Sequence, residues 1–276
     1  MSNPNCSINM VEYYKSNNKE FYSDIPHDIL IEKLIKLIPT YETNKIILGI
    51  DVGTNVGDYI PNLLKICNEP KSQILCFEPN LINIPEIEKK TISNDNITIY
   101  DCALSNENTT ANFYNMKCKK ENKVGNVLAS LGGNGNIIRK TEVKRLENVL
   151  DEKFSDNQEI LIKLLKIDVE GNDGNVIKGS EKYLKNTEYI IFECSDCMDD
   201  CRGPGIKNPM KDIVDFLSKN DFDTYRIGRK KLFKVNDECW NEEYEKKFWS
   251  NCFSLKKDNK LINLLIDSDY NYIINW

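Results

Sequence analysis

The residues best placed to do chemistry in this sequence are acids that stand where apolar runs end. In KIILGIDVGTNVGDY (45–59) the run Ile46-Ile47-Leu48-Gly49-Ile50 closes on Asp51, and Gly53 and Gly57 follow. SQILCFEPN (72–80) ends on Glu78, LLKIDVEG (164–171) on Asp168 and Glu170, and EYIIFE (188–193) on Glu193. An uninterrupted apolar run is the mark of a strand buried on both faces, and open α/β sheets bind ligands at the ends of such strands. Carboxylates there can accept hydrogen bonds from hydroxyls, neutralise a cation or take a proton from an acceptor. The single histidine, His27, lies far upstream, so a carboxylate has to supply any general base, and Asp168 and Glu193 are the candidates.

The turn DVGTNVG follows a strand and opens a helix, as a dinucleotide site does. Its glycines, however, are spaced G-x-x-x-G from Gly53 to Gly57, and the third glycine of G-x-G-x-x-G is missing. Asp51 would repel a pyrophosphate. S-adenosylmethionine carries no phosphate and presents a cationic sulfonium and an α-ammonium, so it gains from a carboxylate at that point. Glycine lets its methionine part approach the backbone. Glu78, 27 residues beyond Asp51, is placed to take both ribose hydroxyls. The pattern therefore predicts S-adenosylmethionine as cofactor, with a nicotinamide-dependent oxidoreductase on a similar sheet as the alternative.

These acids need a frame. Strands are predicted at 45–51, 72–79, 96–105, 159–171 and 188–196, with two late ones in FDTYRIG and KKLFKVN joined by a short turn, one of them antiparallel. Helices are predicted at 26–39, near 57–68, near 173–185 and at 208–220. In the first, Leu30, Leu34, Leu37 and Ile38 share a face. Regular alternation argues for a mostly parallel, doubly wound sheet with helices on both faces. The Gly- and Asn-rich stretch between 106 and 145 is too long for a simple connection and reads as a lid or substrate loop, or a disordered insertion. The expected division is an N-terminal helical extension (1–44) before a single catalytic domain (45–276).

Composition narrows the partners. A chain of 276 residues, 40% hydrophobic, can bury one sizeable core. A net charge of −6 and a pI near 5.2 argue against nucleic acid as partner, and RIGRKK (226–231) reads as solvated residues at a hairpin. No run approaches the roughly 18 apolar residues of a membrane helix, and the first residues lack the apolar segment of a signal peptide. The expectation is a soluble, cytoplasmic protein with no membrane partner, its ten cysteines reduced.

IDVGTNVGDY, CFEPN, IYDCALSN, VKRLENVL and above all LKIDVEGNDGNVIKG resemble, in the same order, the blocks of the FkbM-type S-adenosylmethionine-dependent methyltransferases. The resemblance covers about 45–195. It implies a Rossmann-like class I methyltransferase fold with a seven-stranded sheet, and O-methyl transfer to a hydroxyl of a sugar or glycosylated product. It implies further that Asp51, Gly53, Asn55 and Gly57 hold the methionine side, Glu78 the ribose, and Asp101, Cys102 and Ala103 the adenine. Asn172, Asp173 and Gly174 depart from that family's usual pattern. A binding protein with a degenerate cofactor site is a further alternative.

Strand alternation puts Lys166, Asp168 and Glu170 on one face, and a lysine inside a central strand needs a partner, here Glu193 or Asp51. Asp168, Glu193 and Asp196 could instead bind Mg²⁺ and align a sugar diol, although no metal is expected. Cys194, Cys197 and Cys201 have a spacing open to Zn²⁺ but lack an adjacent fourth ligand, so free thiols are expected. The aromatics of CWNEEYEKKFW (239–249) read as core rather than as a sugar-stacking platform.

Overall fold

The computed structural model describes residues 27–41, 43–115, 122–125, 129–133, 135–155, 157–194, 208–227, 232–245 and 250–262. At its centre lies β1 (Ile46–Val52), buried on both faces from Ile47 onward. It pairs in parallel with β2 (Gln73–Phe77) on one side and with β7 (Ile160–Ile167) on the other. β3 (Ile97–Tyr100) continues beyond β2 and β8 (Thr187–Cys194) beyond β7, again in parallel. β11 (Ser250–Lys256) runs antiparallel to both β8 and β9 (Phe222–Ile227), and β10 (Leu232–Lys234) closes that edge, in the order β10-β9-β11-β8-β7-β1-β2-β3.

The Rossmann-like class is as expected, but the sheet has eight strands among the described residues rather than seven, β11 being the one that was not predicted. The antiparallel β9–β10 pair is present. The insertion of β11 between β8 and β9 has no local signal, because strand order depends on partners far along the chain. Arg226 corrects the hairpin reading: it is 0% exposed on β9, opposite Phe233 on one side and Cys252 on the other.

Helices cover both faces through two apolar layers. α1 (His27–Leu37), α2 (Ile60–Ile66) and α3 (Ile84–Thr91) contribute Ile35, Leu63 and Ile87 to one. α4 (Leu146–Lys153), α5 (Asp173–Lys178), α6 (Glu181–Leu184) and α7 (Met210–Lys219) contribute Leu150, Ile177, Leu184 and Val214 to the other. On α1 the buried stripe is Ile31, Leu34 and Ile35, followed by Ile38, whereas Leu37 is only partly buried. The helix is thus rotated from the expected face. Among the described residues no helix is long and apolar enough to cross a membrane.

Two further departures lie beside the site. The predicted strand 96–105 is divided: β3 ends at Tyr100, and β4 (Ala103–Leu104) joins a second sheet of order β4-β6-β5, with β5 (Thr109–Tyr114) and β6 (Ile137–Lys144). The stretch 106–145 therefore contains strands. β6 carries the alternation of an antiparallel strand with one exposed face in its second half, whereas β5 buries only Phe113. The helix predicted near 173–185 breaks at Gly179-Ser180. A Cβ on Gly179 would lie 2.0 Å from the carbonyl oxygen of Ser105, so the chain after β4 rests directly on this break. Gly179→Ala is expected to lower stability by about 1–3 kcal/mol, read as a lower urea midpoint. An unchanged midpoint would disprove the contact.

Candidate active site

The first glycine turn is fixed by the end of β2. The amides of Gly53 and Thr54 donate to the carbonyl of Phe77 at 2.9 and 3.1 Å. Gly53 (φ 76°), Asn55 (φ 51°) and Gly57 (φ 81°) all lie in the left-handed region. Gly53 has a second constraint. A Cβ there would lie 1.9 Å from the carbonyl oxygen of Asp168, so the ends of β1 and β7 approach each other more closely than any side chain permits. The next residue after Phe77 is Glu78, 5% exposed. Its Oε2 accepts from the Asn55 amide and its Oε1 from the Asn80 amide, both at 2.7 Å. Burial pushes its carboxyl up to about 7 against the pull of these bonds.

A cleft of about 670 Å³, counted with its open mouth, lies over these ends. Of the residues singled out in the sequence, Gly53, Asn55, Glu78, Cys102, Ala103 and Asp168 line it. Phe77, Leu104 and Phe113 give it apolar walls, and Ala129 and Leu131 of the Gly- and Asn-rich stretch close one side. Burial pushes the Cys102 thiol up to about 12. Asp101 is absent from the lining and stands outside, its side chain 69% exposed, 3.9 Å from Arg139. Gly57 is likewise not a lining residue.

Asp51 lies behind the cleft at 0% exposure. Lys166 Nζ is 3.1 Å from Asp51 Oδ1, one of the two expected partners, and also 3.7 Å from Asp168 Oδ2, a contact that a regular strand would not give. The strand ends at Ile167, and Asp168, Val169 and Glu170 all turn toward the cleft instead of alternating. Burial pushes Asp51 up in pKa although Lys166 opposes it. Burial alone would depress Lys166, but Asp51 and Asp168 outweigh it and hold the ammonium charged.

Glu193 is 5% exposed on β8. Carboxylate oxygens of Asp168, Glu170 and Glu193 lie within 4.8 Å of one another. Glu170, at φ 57°, was visible on the face of Asp168, but the sequence assigns it no role. Asp196, Cys197 and Cys201 lie outside the described residues, as does the side chain of Cys194. Cys67, Cys76, Cys102 and Cys252 are free thiols as expected. Cys239 corrects that expectation: it is disulfide-bonded. Trp240 packs edge-on against the buried Tyr244 at 5.6 Å, as core.

The residues that depart from the family pattern brace the backbone here, and Asn172 also lines the cleft. Asn172 donates to the Leu104 carbonyl at 3.0 Å, and Asp173 accepts from the amides of Glu193 (3.2 Å) and Gly171 (3.3 Å). Gly174 leaves room for Ile213 of α7, which a Cβ would meet at 2.8 Å. An amide network, by contrast, was missed. Asn83 donates to the Asn55 side chain, Gly125 donates to Asn83, and Asn80 and Asn122 pair reciprocally at 2.9 Å. In an Asn-rich chain no single asparagine stands out as one of its members.

Fold and cleft together define a Rossmann-like domain of the methyltransferase class. The chain belongs to the methyltransferase FkbM domain family, whose pattern matches residues 51–224. It is similar to the 2-O-methyltransferase NoeI of Sinorhizobium fredii (strain NBRC 101917 / NGR234), 25% identical over 154 residues, which are 53% of this chain and 63% of NoeI. A crystal structure of an FkbM methyltransferase from Methylobacillus flagellatus KT superposes with a TM-score of 0.47 at 12% identity, covering 88% of this chain and 50% of that one. The N-methyltransferase NodS from Bradyrhizobium japonicum WM9, solved with S-adenosyl-L-homocysteine, gives 0.41 at 10% identity, covering 89% and 98%. The matched segments thus span under two thirds of NoeI and half of the M. flagellatus chain.

The raised pKa of Glu78 has a definite sign. A carboxyl at about 7 in the fold and 4.5 outside it holds more protons when folded between those values, so its ionisation progressively destabilises the fold as pH rises from 4.5 to 7. In Glu78→Gln that dependence is absent. The melting temperature of the variant is expected to gain on that of the wild type across this window and to hold the gain above it; a constant difference would show that Glu78 titrates normally.

Proposed function

We propose that the cleft binds S-adenosylmethionine and that the protein is an O-methyltransferase acting on a hydroxyl of a saccharide. The observation that carries this reading is the chemistry of the lining: Glu78, Asp168 and Glu170 face the cleft, and among its described lining residues there is no lysine or arginine. Such a surface suits a ligand with hydroxyl donors and positive charge and opposes the pyrophosphate of a nicotinamide dinucleotide. Membership of the FkbM family supports the same reading, as does the similarity to the 2-O-methyltransferase NoeI.

S-adenosylmethionine, when bound, supplies an electrophilic methyl group. Glu78 is the residue to hold ribose hydroxyls, since the amides of Asn55 and Asn80 and the side chain of Asn83 fix its carboxylate where it lines the cleft. Cys102 and Ala103, with Leu104, offer a flat apolar slot for an adenine. Gly53 and Asn55 allow the methionine part to lie along the backbone. Asp168 and Glu193, joined by Glu170, are the groups to align an acceptor hydroxyl and take its proton. The same three carboxylates could hold Mg²⁺, but the reading does not require it. The acceptor is a small molecule or saccharide, and a cytoplasmic location accords with the composition.

Calorimetry with S-adenosylmethionine, S-adenosylhomocysteine and NADH tests the cofactor. Binding of the first two and not of NADH is expected; the reverse overturns the reading. Glu78→Ala removes two charge-assisted bonds and is expected to weaken binding by about a hundredfold or more. With an acceptor found by screening saccharides, Asp168→Asn is expected to cut turnover by ~10²–10⁴ in a folded protein. Undiminished turnover would make Asp168 structural.

A further inference from the structure

Lys166 is a cation built into a centre read here as a site for a cationic ligand, and its surroundings are specific. Beyond Asp51 at 3.1 Å and Asp168 at 3.7 Å, its ammonium donates to the Gly53 carbonyl at 3.4 Å and lies 4.6 Å from the centre of the Tyr59 ring. Cys76 on β2 and Asp173 at the start of α5 also face it. The two carboxylates it joins differ in access. Asp51 has a fully buried side chain and cannot touch a ligand, whereas the side chain of Asp168 is 43% exposed and lines the cleft.

Asp168 follows the last residue of β7; its backbone amide donates to the Val52 carbonyl at 3.0 Å, while its partly exposed side chain stands at the cleft. The buried ammonium of Lys166, anchored on Asp51, Gly53 and Tyr59, holds that carboxylate at the junction of β1 and β7.

We propose that Lys166 is a positioning residue: it holds the Asp168 carboxylate at the cleft, so that buried Asp51 acts on a bound cationic ligand only through Lys166 and Asp168. The inference rests on reading the cleft as an S-adenosylmethionine site. Its prediction is counterintuitive in sign. Removing a positive charge beside a cationic ligand should by simple electrostatics strengthen binding, whereas removing the positioner of Asp168 weakens it.

S-adenosylmethionine and S-adenosylhomocysteine separate the two, because the first carries a charged sulfur and the second a neutral one. Calorimetry with both ligands is run on the wild type, Lys166→Met, Lys166→Arg and the double variant Asp51→Asn with Lys166→Met. The double variant removes the buried pair together and guards against loss of the fold; melting curves verify folding. In the folded methionine variants the affinity ratio of S-adenosylmethionine to S-adenosylhomocysteine is expected to fall by about tenfold and to recover in Lys166→Arg. An unchanged ratio, with both affinities reduced alike, would mean that Lys166 only supports the fold. A higher ratio would mean that it merely repels the ligand. Either result overturns the proposal. A wild type that binds neither ligand overturns the cofactor reading, and the inference with it.

Discussion

A charged lysine in the middle strand of a parallel sheet must be matched within a few ångströms, because leaving one member of a buried pair alone costs about 3–5 kcal/mol. β7 meets this demand twice. Lys163 lies 2.7 Å from Glu188 and over the Tyr41 ring at 3.8 Å, and Lys166 lies 3.1 Å from Asp51. Three residues apart, the two would face opposite sides of a regular strand. They do not, because the register between β1 and β7 skips Lys163. That bulge rephases the strand, so Ile162 and Leu165 both reach one core while Lys163 and Lys166 meet Tyr189 and Tyr59 on the other side.

The pairing at the far end of β7 also sets how close the two central strands come. Gly53 and Asp168 are in backbone contact where the strands separate, so the glycine is required by its neighbour as well as by its own dihedral angle. From this junction the site spreads outward. Asp173 holds the amide of Glu193, Asn172 ties the same loop to β4, and the Ser130 hydroxyl donates to the Glu170 carbonyl at 3.0 Å. The small sheet is therefore attached to the catalytic edge of the large one through single side chains, each buried or half-buried.

Much of this was legible in the sequence, because burial on both faces writes a strand as a continuous apolar run. β1, β2, β7 and β8 stand close to where the runs lie, and Glu78 and Asp168 emerge at their ends as the rule for open sheets requires. What was not legible depends on partners far along the chain. The small sheet needs β4 and β6 to meet across some forty residues, and β11 needs a slot between two other strands. The Asn172-Asp173-Gly174 departure shows the same thing: in the sequence it is only a break in the family pattern, whereas in the fold its three residues secure a strand end, a carbonyl and a helix contact.

Cys102 has a consequence of another kind. It is a thiol inside the cleft, and thiolates are the side chains most readily alkylated. Burial at 3% exposure holds it up at about 12, so near neutral pH only about one molecule in 10⁵ carries the thiolate. An alkyl donor admitted to this cleft thus meets a nucleophile in its inert form. The apolar wall that shapes the pocket thus also sets the reactivity of its thiol, a chemoselectivity that comes chiefly from desolvation.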